Sequence, residues 1–436
     1  MSERPAGDLV PGQQVEVAIE KAVYRGRGLG RVGGRVVFVP RAYPGDRVLA
    51  RVSSLRSGWA EAALVKVLDP APARRPAPCP QGPGCGACSY QEIGYDEQLK
   101  LKVAVVREAL ARSGAPWTEK ITARPSPERA WRLRASLHFA SGGGGLRLGF
   151  REEGTHRVTD LRACLQLSDA MNSAARALRD LIGRRPALEH RLRGLELLEA
   201  PDGSALVALL TTSLPSHQAA ELASLGRQVP GLTGFGVECH AERLHWLHGD
   251  PHVEAAVLGL TLRAHVRSFF QSNRFLLEPL ARAVRELVPR EGGPVLDLYA
   301  GVGLFALPLS AREERQVIAV ERAGTACEDA RVNAARHRLR LRVVESEVAE
   351  ALASLPREPG ERIVLDPPRS GAGLAVVDLL AARQPATVVY VSCDPPTLGR
   401  DLARFAAHGY RPDSLQVFDL FPNTFHVETV ARLRRA

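Results

Sequence analysis

The sequence predicts an α/β chain with a small β-barrel at its amino end, a central α+β segment and a doubly wound parallel sheet at its carboxyl end. Three observations carry this. Short alternating stretches separated by glycine-rich turns fill residues 12–68. A proline run from Pro70 to Pro78 follows, which suits neither helix nor interior strand and marks a boundary. From about residue 290 onward strand-like and helix-like runs alternate, the pattern of a sheet covered on both faces. The 436 residues suffice for roughly two or three domains with their own cores. We place these at 1–69, 70–260 and 261–436.

In the first segment, Gln14–Ile19 and Val36–Val39 alternate as half-buried strands, with turns at Gly26–Gly34 and Pro44-Gly45. Strands this short and evenly spaced suit a barrel of the oligonucleotide-binding kind. Arg25, Arg27 and Arg31 lie between strands, as phosphate contacts or as a solvated turn. Residues 96–113 carry apolar side chains at helical spacing and end at Ser113-Gly114. This helix has a natural place against the carboxyl-terminal domain. Between 120 and 260 the pattern gives strands near 132–139, 145–150 and 204–211 and helices near 168–182 and 216–226, with no catalytic motif.

Composition narrows the function classes. Lys and Arg number 58 against 48 Asp and Glu, a net charge of +10 that favours a polyanionic partner. The excess is mostly arginine, which suits phosphate contacts and equally fits a GC-rich genome. No apolar run approaches the ~20 residues needed to span a bilayer, and the amino terminus lacks a signal core. The expectation is a cytoplasmic protein with no membrane association, and a monomer. Seven cysteines, an odd number unevenly spread, do not make a secreted disulfide scaffold. Cys79, Cys85 and Cys88 crowd onto a Pro- and Gly-rich loop, a density that points to a metal site. Zinc usually takes paired Cys-x2-Cys ligands, whereas an iron–sulfur cluster accepts three local thiolates and a distant fourth, for which Cys164 is the best candidate. The spacing is compatible with either.

Chemistry concentrates in the last third. Cys393 follows the β-branched and aromatic run Val388–Val391, at the carboxyl end of a strand. Taken alone, a strand-end cysteine is more often a packing residue. Upstream, Val295-Leu296-Asp297-Leu298-Tyr299-Ala300-Gly301-Val302-Gly303 is an apolar strand entering a Gly-x-Gly turn, where a backbone approaches a ligand closely. No Lys-Ser/Thr follows, which excludes a phosphate-binding P-loop. The strand Val317–Val320 ends at Glu321, a carboxylate suited to the hydroxyls of a ribose. Near the terminus, Glu428 supplies a base. A thiol, a base and a cofactor turn in one α/β domain point to covalent group transfer.

These segments resemble the bacterial RNA 5-methyluridine methyltransferases, in the 23S ribosomal RNA (uracil-5-)-methyltransferase branch that carries an amino-terminal TRAM domain. The resemblance runs over nearly the whole chain. It is carried by the Gly-Arg-Gly loop with Pro44-Gly45-Asp46-Arg47-Val48, by Cys79–Cys88 followed by Tyr95-x2-Gln98-Leu99-x-Leu101-Lys102, and by Asp160–Cys164. Phe269–Asn273, Asp366–Gly371, Ser392-Cys393-Asp394-Pro395 and His426-Val427-Glu428 complete it in order. The resemblance implies a Rossmann-like S-adenosylmethionine domain behind an OB-like TRAM barrel and a central iron–sulfur domain. It assigns Cys393 as nucleophile, Glu428 as base, and Gln271, Tyr299, Glu321 and Asp366 to S-adenosylmethionine. It also implies a 4Fe-4S cluster on Cys79, Cys85, Cys88 and Cys164, structural in role because no motif sets it beside the reactive residues. Ala300, Leu304 and Phe425 depart from residues frequent in the family. The implied substrate is 23S rRNA. The alternatives are a transfer RNA, whose bacterial enzymes typically lack the barrel and the cysteine loop, and a noncatalytic RNA-binding iron–sulfur protein. Arg369, in place of an aromatic after the two prolines, makes methylation of a base amine the weaker reading.

Overall fold

The computed structural model describes residues 9–142, 145–239, 243–312 and 316–435; residues 1–8 of the assigned first domain lie outside these. Strands Gln14–Val23, Arg27–Val32, Arg35–Pro40, Arg47–Arg56 and Trp59–Asp69 close into a barrel. The alternation seen in the sequence is the reason. Val15, Val17 and Ile19 point inward with Val37, Val39, Val48, Ala50 and Val52, and the residues between them face outward. The hairpin Gln14–Val23/Arg27–Val32 turns at Arg25 and Gly26, both with positive φ (69° and 70°).

The catalytic sheet has eight strands, ordered Leu341–Glu345, Val317–Glu321, Val295–Leu298, Arg362–Leu365, Thr387–Ser392, Glu428–Arg435, Tyr410–Phe418 and Thr122–Arg124. Its first five strands are mutually parallel, and the four that follow the edge strand Leu341–Glu345 are buried on both faces. Successive residues show this: Val295, Val364 and Val389 enter one core, while Leu296, Ile363 and Val388 enter the other. The last strand of the chain, Glu428–Arg435, does not add at the edge. It inserts antiparallel between Thr387–Ser392 and Tyr410–Phe418, which brings the start of the strand, Glu428, to the end of the sheet where Ser392 leads into Cys393.

A second, six-stranded sheet is ordered Arg243–Gly249, Gly234–Cys239, Leu206–Thr212, Leu192–Glu199, Arg134–Gly142 and Gly145–Gly149. Helix Asp169–Gly183 covers it, capped by Ser168, whose Oγ accepts the Met171 amide at 3.1 Å. Three of these strands, Arg134–Gly142, Gly145–Gly149 and Leu206–Thr212, fall on the expected segments, but Leu192–Glu199, Gly234–Cys239 and Arg243–Gly249 were not anticipated.

The division at 70 and 260 does not follow the sheets. Helix Tyr95–Arg112 contributes Val106 and Leu110 to the catalytic core beside Leu398 and Leu402, and Thr122–Arg124 forms the edge of the catalytic sheet, parallel to Gln416–Phe418. Hairpin His252–Val257/Leu260–His265 likewise packs with helix Leu277–Leu287.

Candidate active site

The register between Thr387–Ser392 and Glu428–Arg435 sets Cys393 and Glu428 side by side. Ser392 lies opposite Thr429, and Thr429 Oγ1 donates to the Ser392 carbonyl at 2.9 Å. One residue further along each strand, Cys393 and Glu428 line one cavity. Cys393 then leads into helix Pro395–Ala407. Asp394 caps that helix, its Oδ1 accepting the Thr397 amide at 3.0 Å, and its Oδ2 accepts the Tyr24 hydroxyl of the barrel at 2.5 Å. The barrel therefore touches the residue next to the thiol.

Glu428 is 2% exposed, and its Oε1 has no hydrogen-bond partner among the described residues. Burial pushes its carboxyl well above the usual range; Asp366 adds to the shift and Arg369 opposes it. Cys393 is pushed up to about 12, first by burial and then by Glu428 and Asp366, again against Arg369. Burial raises Asp366 to about 7, while the Gln271 amide, donating to its Oδ2 at 3.1 Å, favours the charged form. Three acids thus share a low-dielectric site that disfavours their negative charges. A cation placed among them is stabilised, and in turn promotes their ionisation.

The cavity measures about 650 Å³ and runs without a break from Glu321 and Glu347 at one end to Cys393 and Glu428 at the other. Between them lie Gln271, Tyr299, Gly301 and Asp366. The turn after Val295–Leu298 makes this opening: Tyr299, Gly301 and Gly303 all take positive φ (62°, 54° and 93°). Glu321 is held at its rim, accepting the Gly301 amide at 3.0 Å and the Arg322 and Ala323 amides at 2.9 and 2.8 Å. The six predicted catalytic and cofactor residues therefore line a single space. Leu304 lies in a small apolar hollow with Phe269, Ala300 and Phe305.

Residues 94–436 match the tRNA (uracil-5-)-methyltransferase family, and residues 9–65 match the TRAM domain. The chain belongs to this methyltransferase family. It is 34% identical to an uncharacterized RNA methyltransferase of Streptomyces coelicolor, covering 98% of this chain and 93% of the relative. It is 33% identical to the 23S rRNA (uracil(1939)-C(5))-methyltransferase RlmD of Alkalilimnicola ehrlichii, covering 98% of each. The crystal structure of Pyrococcus abyssi tRNA (uracil-54, C5)-methyltransferase with S-adenosyl-L-homocysteine superposes with a TM-score of 0.77 at 25% identity, covering 96% of this chain and 99% of that one.

This is an S-adenosylmethionine-dependent RNA (uracil-5-)-methyltransferase with an amino-terminal TRAM barrel. The noncatalytic reading falls away. The cavity fits the donor on its own evidence: Glu321, Glu347, Asp366 and Glu428 face it, and among the described residues its cationic side chains are Arg369 at the Cys393 end and Arg322 at the Glu321 end. Such a lining suits a sulfonium. His426 is held neutral, its ring pushed down to about 3 by burial and by Arg369, Lys102 and Arg132.

The clustered cysteines stand closer to this site than the motifs indicated. Ser89 and Tyr90, directly after Cys88, donate their amides to the Asn423 carbonyl at 3.0 and 2.9 Å. Asn423 (φ 66°) belongs to the loop that carries Glu428. The same residue exchanges hydrogen bonds with Gln98: its amide donates to Gln98 Oε1 at 2.9 Å and its Oδ1 accepts Gln98 Nε2 at 3.1 Å. Lys102, one helical turn on, donates to Asp419 at 2.5 Å and to the Phe421 carbonyl at 3.0 Å, fully buried. Gln98 and Lys102 thus clamp the loop that leads into Glu428, a role that spacing did not reveal.

Among the described residues no three His, Cys, Asp or Glu side chains converge tightly enough to hold a single metal ion. Cys79, Cys85, Cys88 and Cys164 nevertheless interact electrostatically with one another. Beside them the guanidinium of Arg132 is buried; the thiols of Cys164, Cys88 and Cys85 are the acidic groups that act on it. Its Nε has no partner among the described residues. Gln166 Nε2 also donates to Cys88 Sγ at 2.7 Å. A buried cation with thiols as its counter-groups fits a negatively charged cluster of thiolates.

Proposed function

We propose that this methyltransferase acts on carbon 5 of a uridine in 23S rRNA through a covalent adduct on Cys393. The observation that carries the proposal is the buried Glu428 carboxyl, its Oε1 without a hydrogen-bond partner among the described residues, lining one cavity with the Cys393 thiol. Uracil carbon 5 is a poor nucleophile until a thiolate adds to carbon 6. The Cys393 sulfur forms the S–C6 bond, and the ring electrons move to the carbonyl oxygen on carbon 4 as an enolate. S-adenosylmethionine would supply an electrophilic methyl group: the enolate electrons form the C5–CH3 bond, and the methyl–sulfur bond breaks to leave neutral S-adenosylhomocysteine. Glu428 then removes the carbon 5 proton; that electron pair restores the C5=C6 bond and expels the Cys393 thiolate. Arg369, whose charge favours the ionised forms of both Cys393 and Glu428, stabilises the anions at each end of this sequence. Because both ring carbons are reached only outside the base stack, the uridine is taken from a loop or flipped out.

Ribosomal RNA is favoured as substrate by full-length relatives named for 23S rRNA. We also assign Cys79, Cys85, Cys88 and Cys164 to a 4Fe-4S cluster, supported by the buried Arg132 beside their thiols. Its negative charge would neutralise that guanidinium. The test of substrate is mapping of 5-methyluridine in both RNAs from cells with and without the gene. Loss from 23S rRNA alone supports the proposal; loss from tRNA alone replaces it with the tRNA reading.

A further inference from the structure

A second cavity, about 740 Å³, lies between the barrel and the catalytic domain. It adjoins the reactive one, with Arg369, Ser370 and His426 forming a wall of both. Two features of its wall stand out. Arg25, Arg112 and Arg369 are exposed and form no ion pair with any carboxylate among the described residues. Phe425 and His426 form an aromatic shelf, their ring centroids 4.1 Å apart, and Tyr24 meets Phe425 edge-on at 5.8 Å. The barrel turn is pressed against this shelf: a Cβ on Gly26 would come within 3.1 Å of Phe425 Cβ and 3.0 Å of Ser89.

We propose that this cleft binds the single-stranded RNA adjoining the reactive uridine, with Arg25 and Arg112 on its phosphates and a neighbouring base stacked on Phe425. This deepens, and rests on, the reading of the site as an RNA methyltransferase. A uridine whose ring faces Cys393 leaves its flanking backbone at the mouth of the reactive cavity, and that mouth opens here. Unpaired arginines beside an aromatic face are what a single strand recognises: charge follows the backbone, and a π-face takes any base. The cleft also explains why Tyr24 reaches Asp394: the hydrogen bond fixes one wall of the strand's path beside the nucleophile.

The probe is a fluorescein-labelled oligouridylate of about ten nucleotides, titrated by anisotropy at several salt concentrations, so that binding is read apart from methylation. Each single-strand phosphate contact contributes about −0.7 to the slope of log K against log salt, so Arg25→Glu with Arg112→Glu is expected to flatten it by about 1.4. Phe425→Leu keeps an apolar filler but loses the stacking face; it is expected to weaken binding by about fivefold or more without changing the salt slope. The control is Arg340→Glu with Arg342→Glu, an equal change of charge at exposed positions by the opposite sheet edge, Leu341–Glu345. Arg25→Gln with Arg112→Gln serves if reversal disturbs folding. An equal flattening in the control, or unchanged binding in Phe425→Leu, overturns the proposal. Wild-type protein incubated with its RNA separates the two readings. If no Cys393 adduct forms while the cleft variants still lose oligouridylate, the covalent chemistry fails and the cleft stands; if the adduct forms but the variants behave like the control, the cleft fails.

Discussion

The three acids at the reactive end make cofactor affinity a function of pH. In the free enzyme the Asp366 carboxyl titrates at about 7 instead of 3.8, because burial disfavours its anion. A sulfonium placed in the same cavity favours that anion, so binding sheds a proton. The sign follows: below pH 7 the free site holds a proton that the bound site does not, affinity rises with pH, and the rise ends near 7. If the bound carboxyl returns to its ordinary value, only about one free site in a hundred is ionised at pH 5, and the Kd for S-adenosylmethionine is about 10²-fold weaker there than at pH 8. S-adenosylhomocysteine lacks only the methyl group and with it the charge on sulfur, and its dependence is expected to be markedly shallower. Calorimetric titrations of both ligands from pH 5 to 8 read this directly, and buffers of different ionisation enthalpy count the proton released. Parallel curves for the two ligands, or a flat curve for S-adenosylmethionine, would refute the charge argument.

Two further outcomes are expected. Lys102→Met strands the fully buried Asp419 carboxylate and is expected to cost about 3–5 kcal/mol in urea unfolding, whereas adding Asp419→Leu recovers most of the loss; a double variant no better than the single contradicts the pairing. Protein purified without oxygen is expected to be brown and to hold iron and acid-labile sulfide in near-equal amounts, and stoichiometric zinc without sulfide would end the cluster assignment.

Several of the cavity-lining residues were legible because they follow the carboxyl end of a strand, and strands buried on both faces announce themselves as apolar runs. Val295–Leu298 before its Gly-x-Gly turn, Val317–Val320 before Glu321, and Val388–Val391 before Cys393 all read this way. The central sheet was less legible. Leu192–Glu199 reads Leu-Arg-Gly-Leu-Glu-Leu-Leu-Glu, built from residues that favour helices, and becomes a strand because Arg134–Gly142 and Leu206–Thr212 flank it. Thr122–Arg124 is three residues long and is a strand only by virtue of Gln416–Phe418, far along the chain. The clamp on the base loop was hidden for the same reason. Gln98 and Asn423 stand 325 residues apart, and no local pattern records their contact. Arg132 and Tyr24 carried no signal in isolation; their significance lies wholly in the thiols and the Asp394 carboxylate that the fold sets against them.

The central claim is that Cys393 and Glu428 act in sequence on one ring, and a denaturing gel tests it most directly. Glu428→Gln keeps the nucleophile and the donor site but cannot take the carbon 5 proton. With labelled S-adenosylmethionine and substrate RNA it is expected to accumulate a slow-migrating protein–RNA band that carries the methyl label, and Cys393→Ala is expected to give neither band nor product. Normal turnover by Glu428→Gln, or methylation of uridine by Cys393→Ala, would contradict the account.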